Sequence, residues 1–175
     1  MKLWYWQKKI FLKAFFILFI FFNTVNAEIF ITGYAKVSDA DTIKISKYKI
    51  RLHGIDAPEK KQICQKPYLN FGTFSLYKDY LCGEFATNKL KQFIGGEFII
   101  ECKVSDKKDF FGRYLGTCFK NSTNINQWLV ENGYAVAFTK YSKDYVIFEE
   151  IAKNNKVGIW SGKFLMPWEW RKKNK

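Results

Sequence analysis

The chain has 175 residues, 48% of them hydrophobic, and a formal net charge of +13. That is too apolar for a disordered protein and long enough to bury a core. One histidine, His53, excludes metal sites with several His ligands and any acid–base chemistry by a His pair.

Residues 1–27 carry four lysines and no acid, then the nine-residue apolar run Ala14 to Phe22, then Val25-Asn26-Ala27. Basic flank, short apolar stretch and small residues before a cut point describe a secretory signal peptide, and nine residues are too few to span ~30 Å of hydrocarbon. The expectation is an exported protein, secreted or periplasmic, or membrane-tethered where the signal stays uncleaved. Without that segment the net charge falls from +13 to +9, and Arg171, Lys172, Lys173 and Lys175 hold four of those. The remaining body, 28–170, reads as one domain with a modest attraction for polyanions, and 171–175 as a basic tail with nothing to pack.

Glu28 to Val37 is β-rich, Ser38 to Asp41 reads as a turn, and Thr42 to Ser46 and Tyr48 to Ile55 are further alternating strands. Ala57-Pro58 ends the run, since proline cannot donate to a ladder. Glu59 to about Tyr80 reads as a long polar-aromatic loop. A helix follows from Gly83 to Ile94, with Phe85, Ala86, Leu90, Phe93 and Ile94 at helical spacing and Gly95-Gly96 as its stop. Glu97 to Val104 and Arg113 to Lys120 form a hairpin around Ser105 to Gly112. A short helix starts near Asn124, a short strand covers Tyr134 to Phe138, and a third helix starts after Ser142 as cap, turning Tyr145, Phe148 and Ile151 inward. Five strands with three interspersed helices predict an α+β, mainly β, fold: a five-stranded Greek-key barrel of the OB type.

The four cysteines form no C-x-x-C knuckle, which argues against zinc. In an exported chain the even count argues for disulfides. If the two hairpin strands pair about a turn near Phe110, Cys102 faces Cys118, which leaves Cys64–Cys82 as the second bridge.

Three segments carry chemistry: Val37 to Ile43, Arg51 to Glu59, and Asp109 to Arg113. Asp41 and Asp56 stand at strand ends, where neighbouring strands can bring two carboxylates together as hard oxygen ligands for Ca²⁺. Glu59 follows as a candidate general base. Only three of the 29 basic residues are arginine, and two of them, Arg51 and Arg113, fall inside these segments. Lysine serves for generic surface charge, whereas a planar fork on phosphate is a task for arginine. A divalent cation, a carboxylate base and two guanidiniums are the parts required for attack of water on a phosphodiester.

These segments resemble the active-site motifs of the thermonuclease (staphylococcal-nuclease-like) family: D-x-D-T, then R-x-x-x-x-D-x-P-E, then D-x-x-G-R, in that order and spacing. The likeness continues through Leu129 to Ala135 and Gly158 to Gly162. The resemblance implies an OB-fold barrel and a Ca²⁺-dependent phosphodiesterase that cuts DNA and RNA to leave 3′-phosphates. By motif position, Asp41, Asp56 and the backbone carbonyl of Ala57 would hold the metal, with Asp39 and Thr42 supporting them. Glu59 would be the base, Arg51 and Arg113 would hold the phosphate, and Phe138 or Tyr141 would face the nucleotide. Single-stranded nucleic acid is the expected partner, with no obligate protein partner and a monomeric state. Phe110 stands where the family often has a basic residue, and His53 sits at no catalytic position. A non-catalytic OB-fold module that binds single strands is the rival reading, because such barrels hold bases on aromatics without cutting them. A third pattern, the E-x-K of Glu101 and Lys103, explains none of the three motifs.

Overall fold

The computed structural model describes residues 28–174, so the expected signal segment lies outside the described residues. Strands β1 (Ile29–Asp39), β2 (Thr42–Ile45), β3 (Tyr48–Leu52), β7 (Ile99–Lys108) and β8 (Tyr114–Lys120) close into a barrel. All neighbours are antiparallel except β3 and β8, whose parallel pairing at Arg51↔Leu115 joins the two edges. β1 is long enough to serve both sides, pairing with β7 through its first half and with β2 through its second. The fold class is therefore the expected one, α+β and mainly β, with a five-stranded closed barrel.

The interior follows the period-2 pattern. Ile43, Ile45, Ile50, Leu52 and Ile100 point inward and are fully buried. Helix α1 (Cys82–Ile94) packs against β1 and contributes Ala86, Leu90 and Ile94 to the same core. Helix α2 (Ile125–Glu131) adds Ile125 and Leu129, and its cap is the Asn124 side chain, which accepts from the Gln127 amide at 3.1 Å. Buried Asn126 ties this helix to the barrel: its amide donates to the carbonyls of His53 (2.9 Å) and Gly116 (3.1 Å) and accepts from the Cys118 amide.

Both disulfides join the expected partners. Cys102 and Cys118 face each other across β7 and β8 and are bonded, as are Cys64 and Cys82. Each closes a short loop and adds roughly 3 kcal/mol by the chain-entropy argument.

Four expectations are corrected. The stretch read as a loop after Glu59 is a hairpin of β5 (Ile63–Asn70) and β6 (Ser75–Leu81). Its side chains are mostly exposed, with Phe71 and Phe74 stacked at its tip, so no buried face imposed an alternating pattern. The hairpin of β7 and β8 extends further than read, its turn confined to Asp109–Gly112. Helix α3 (Val146–Asn154) does not begin with a Ser142 cap. Ser142 instead accepts from the Asp144 amide in the preceding turn, while α3 buries Glu149 and Ala152 and leaves Ile151 exposed. Finally, the described part of the basic tail is helical and packs. Residues Pro167–Lys173 form helix α4, making four α-helices rather than three among the described residues, besides a 3-10 turn at Gly158–Ser161. The remaining strands are short: β4 (Ile55–Asp56) pairs with β10 (Val136–Ala137), and β9 (Thr123–Asn124) pairs antiparallel with the end of β8.

Gly83, near the start of α1, touches the backbone of Pro58 and Glu59. A Cβ there would lie 1.9 Å from the Glu59 carbonyl oxygen. Gly83→Ala is expected to push the segment 58–59 away and destabilise the protein by about 1–3 kcal/mol, read as a lower midpoint in urea unfolding.

Candidate active site

The barrel brings the second and third motif segments to one cleft of about 610 Å³, with Asp41 of the first held against it by Arg51. Arg51, Glu59, Arg113, Phe138 and Tyr141 line it, together with His53, Phe110, Phe111 and Arg171. Asp41 and Asp56 lie beneath, buried, and reach the cleft through the guanidinium of Arg51.

Strand pairing places each group. Thr42 lies opposite Arg51 in the β2–β3 ladder, so Asp41 sits beside the arginine. β4 holds Asp56 opposite Val136. From this frame Arg51 pairs with Asp41 through Nη1 and with Asp56 through Nη2 at 2.8 Å. Asp41 also accepts from the Thr42 hydroxyl (3.1 Å) and the Ala57 amide (3.1 Å). Thr42 therefore supports Asp41, and Ala57 touches it through its N–H.

Burial pushes the Asp41 carboxyl up to about 6; Arg51 opposes that shift and the neighbouring carboxyl of Asp39 adds to it. Asp39 presents a buried carboxylate oxygen, Oδ1, with no hydrogen-bond partner among the described residues. Such an orphaned acceptor is costly and marks a place where a donor or a cation would be welcome.

Arg113 is held by its own turn. Gly112, with φ near +73°, lets the chain reverse so that the Asp109 carboxylate accepts from the amides of Phe111 and Arg113, each at 2.9 Å. The same carboxylate receives Nε (2.9 Å) and Nη2 (2.8 Å) of Arg113. Burial works to raise the Asp109 carboxyl, but these donors outweigh it and hold it below its usual value. The guanidinium lies 5.2 Å from the Phe111 ring, and Phe110 is 97% exposed beside it.

Arg171 was read as part of a loose tail, and it is the residue that sequence reasoning missed. Helix α4 carries its guanidinium to Asp56, with Nη2 on Oδ2 at 2.7 Å and Nη1 on Oδ1 at 3.1 Å, and to Glu59 with Nη1 on Oε1 at 2.9 Å. Burial favours loss of its proton, but the two carboxylates outweigh that and bind the proton more firmly. Trp168 of the same helix stacks on Phe138, ring centroids 5.6 Å apart. Phe138 in turn meets Tyr141 edge-on, so the two expected aromatics are neighbours on one wall. Buried Gln62 links the parts, accepting from the Glu59 amide (3.2 Å) and donating to the Leu165 carbonyl just before α4 (2.7 Å). The signal for Arg171 was the one that located Arg51 and Arg113, an arginine in a chain that otherwise uses lysine.

Among the described residues no three Asp, Glu, His or Cys side chains stand close enough to form a ready-made cation site. The donor chemistry nevertheless fits a hard divalent cation. Asp39, Asp41, Asp56 and Glu59 oppose Arg51 and Arg171, which leaves two negative charges and an orphaned oxygen. The rival E-x-K pair lies elsewhere: Lys103 is exposed on β7 and pairs with Glu28.

The family model described as staphylococcal nuclease homologue matches residues 49–162. Among curated relatives, the succinoglycan biosynthesis protein ExoI of Rhizobium meliloti (strain 1021) is 34% identical over 132 residues, 74% of this chain and 64% of its own. The probable staphylococcal-like nuclease CAN3 of Oryza sativa subsp. japonica is 35% identical over 144 residues, 80% of this chain but 33% of its own. An uncharacterized endonuclease of Escherichia coli O157:H7 is 31% identical over 163 residues, 89% of this chain and 94% of its own. The chain thus spans between a third and two thirds of the first two relatives and nearly all of the third.

The raised Asp41 carboxyl has a measurable consequence in chelator. Its folded value lies above the unfolded one, so the stability it contributes is full below about pH 4 and is lost as pH rises through about 6. Asp41→Asn removes that titration. The stability difference between wild type and Asp41→Asn is expected to shift against the wild type by up to about 3 kcal/mol across this window, read from urea unfolding at pH 4 and pH 7.

Proposed function

The chain belongs to the staphylococcal nuclease homologue family, and on that premise we propose that it is an exported, monomeric, Ca²⁺-dependent nuclease. It hydrolyses phosphodiester bonds of DNA and RNA, preferring single strands and leaving 3′-phosphate ends. The observation that carries this reading is the convergence of Arg51, Arg113 and Glu59 on one cleft above the buried pair Asp41 and Asp56. Two disulfides suit an oxidising compartment. Among the described residues no helix is long and apolar enough to cross a membrane.

In this reading the substrate phosphate lies in the cleft with Arg51 and Arg113 on its oxygens. Arg113 is pre-aimed by Asp109, which engages Nε and Nη2 and leaves Nη1 for the substrate. Glu59 accepts a proton from the attacking water, the new P–O bond forms, and the bond to the 5′-oxygen breaks as that oxygen takes up a proton from solvent, which leaves a 5′-hydroxyl and the phosphate on the 3′ side. For this task Glu59 is well placed. Its side chain is 41% exposed, open to both water and substrate. Asp41, Asp56 and the Ala57 carbonyl would hold Ca²⁺, which when bound supplies positive charge against that accumulating on the phosphorane-like transition state. Tyr141 and the exposed Phe110 and Phe111 offer flat faces to unstacked bases, which supports the preference for single strands.

The decisive measurement is cleavage of single-stranded DNA with Ca²⁺ and again with excess chelator. Cutting is expected only with Ca²⁺, and undiminished cutting in chelator would remove the metal from the reading. Glu59→Gln should lower turnover by ~10²-fold or more while Ca²⁺ affinity, measured separately, survives.

Arg113→Lys separates enzyme from binding module. The charge persists, so affinity for single-stranded DNA measured without turnover should change little. Losing the fork should lower kcat by roughly 10²–10³-fold, as removal of one oxyanion-type donor does. Full activity in this variant would exclude the phosphate clamp and favour a module that binds without cutting.

A further inference from the structure

Arg171 has no place in the three motifs, yet it makes more contacts with the site carboxylates than Arg113 does. Asp56 is fully buried, and both of its oxygens are taken: Oδ1 by Arg51 and Arg171, Oδ2 by Arg171 alone. Glu59 gives Oε1 to the same guanidinium. A divalent cation bound at Asp56 would therefore compete with Arg171 for the same lone pairs and would carry charge of the same sign.

The two arginines on Asp56 differ in how they are anchored. Arg51 is 19% exposed and belongs to β3, hydrogen-bonded on both sides within the closed barrel. Arg171 is 35% exposed and rides on the seven-residue helix α4. That helix buries only Pro167 and is otherwise attached through the Gln62–Leu165 hydrogen bond, the packing of Met166 at its start, the stack of Trp168 on Phe138, and Arg171 itself. If one of them yields to a cation, it is Arg171.

We infer that Arg171 is a tethered competitor of the metal. In the cation-free protein it neutralises Asp56 and engages Glu59, and it leaves both when Ca²⁺ binds. Because the same guanidinium holds a metal ligand and the base, Glu59 is released only when the cation is in place. This inference rests on the Ca²⁺ reading of Asp41 and Asp56 given above.

The test is Ca²⁺ titration of the purified protein by calorimetry, without nucleic acid. Arg171→Ala is expected to bind Ca²⁺ about tenfold tighter or more, since it removes a competitor present at high effective concentration. Arg171→Lys, which keeps the charge but loses the fork, should fall between, and it serves as the informative variant should the alanine protein fold poorly. Trp168→Ala touches no carboxylate and only loosens the helix, and should also tighten binding severalfold. Lys172→Ala removes a neighbouring charge without a contact and should change affinity by about twofold at most. Unchanged or weaker Ca²⁺ binding in Arg171→Ala would overturn the inference and make Arg171 a group that positions the carboxylates for the metal. Equal tightening in Lys172→Ala would overturn it in favour of general charge. Absence of Ca²⁺ binding in every variant would remove the metal reading along with it. Normal Ca²⁺ binding with the expected variant order, but no cleavage of DNA, would support the competition and sink only the nuclease reading.

Discussion

The arrangement of the site turns on one buried carboxylate. Asp56 has no exposed surface, and an ionised carboxylate taken out of water costs several kcal/mol unless it is paired and hydrogen-bonded. The pairing comes from two guanidiniums, Arg51 five residues before it and Arg171 more than a hundred residues after it. Satisfying Asp56 therefore requires the first half of the barrel, the β4–β10 pair and the last helix to be in place together. The same helix sets what the cleft groups touch, because α4 docks with Arg171 on the Glu59 carboxylate and Trp168 on Phe138, which in turn meets Tyr141. The electrostatics of one residue and the shape of the cleft are the same constraint.

Most of the barrel, and most of the residues that gather at the candidate site, were legible in the sequence, and the reasons are specific. Ile43, Ile45, Ile50 and Leu52 each bury one face of a two-sided strand, which leaves alternation in the sequence. Cys102 and Cys118 were pairable because strand register is a counting argument once the turn is located. The segment after Glu59 was not legible as a hairpin because β5 and β6 bury little on either face, so nothing imposes alternation there. Helix α4 was hidden for a different reason. It spans seven residues, buries only Pro167, and ends in Arg171-Lys172-Lys173, so neither periodicity nor composition separates it from a solvated tail. What holds it is long-range pairing, which local patterns do not encode. Its visible traces were Pro167 at the first turn with Glu169 reaching back to the Met166 amide, and an arginine where lysine would have sufficed.

The carboxylates in this site cost stability that the fold offsets elsewhere. Asp41 is pushed toward protonation by burial, Asp39 carries an orphaned oxygen, and the cluster keeps two uncompensated negative charges even with both arginines in contact. A core optimised for stability alone would replace such groups with apolar ones, commonly at no loss. Here the β2–β3 and β3–β8 pairings hold the strand ends regardless of that cost, and Cys102–Cys118 reinforces β7 and β8 behind them. Strain of this kind is affordable only on a frame that does not depend on it.

Glu59 shows how the frame is divided. On one side its chain is pinned: the Gln62 amide donates to the Glu59 carbonyl, the Cys82 amide donates to the Gln62 carbonyl, Cys64–Cys82 bridges the same turn, and Gly83 packs against the Glu59 backbone. On the other side, among the described residues, its carboxylate meets only Arg171, on the short last helix. Backbone and side chain are thus under separate control. The rigid side sets where a base would stand, to within the tolerance that proton transfer requires, whatever happens to α4. The adjustable side governs only what that carboxylate touches. A site built this way can change the partner of one acid without moving its backbone, and this is the simplest arrangement by which occupancy of a neighbouring carboxylate could be communicated to it.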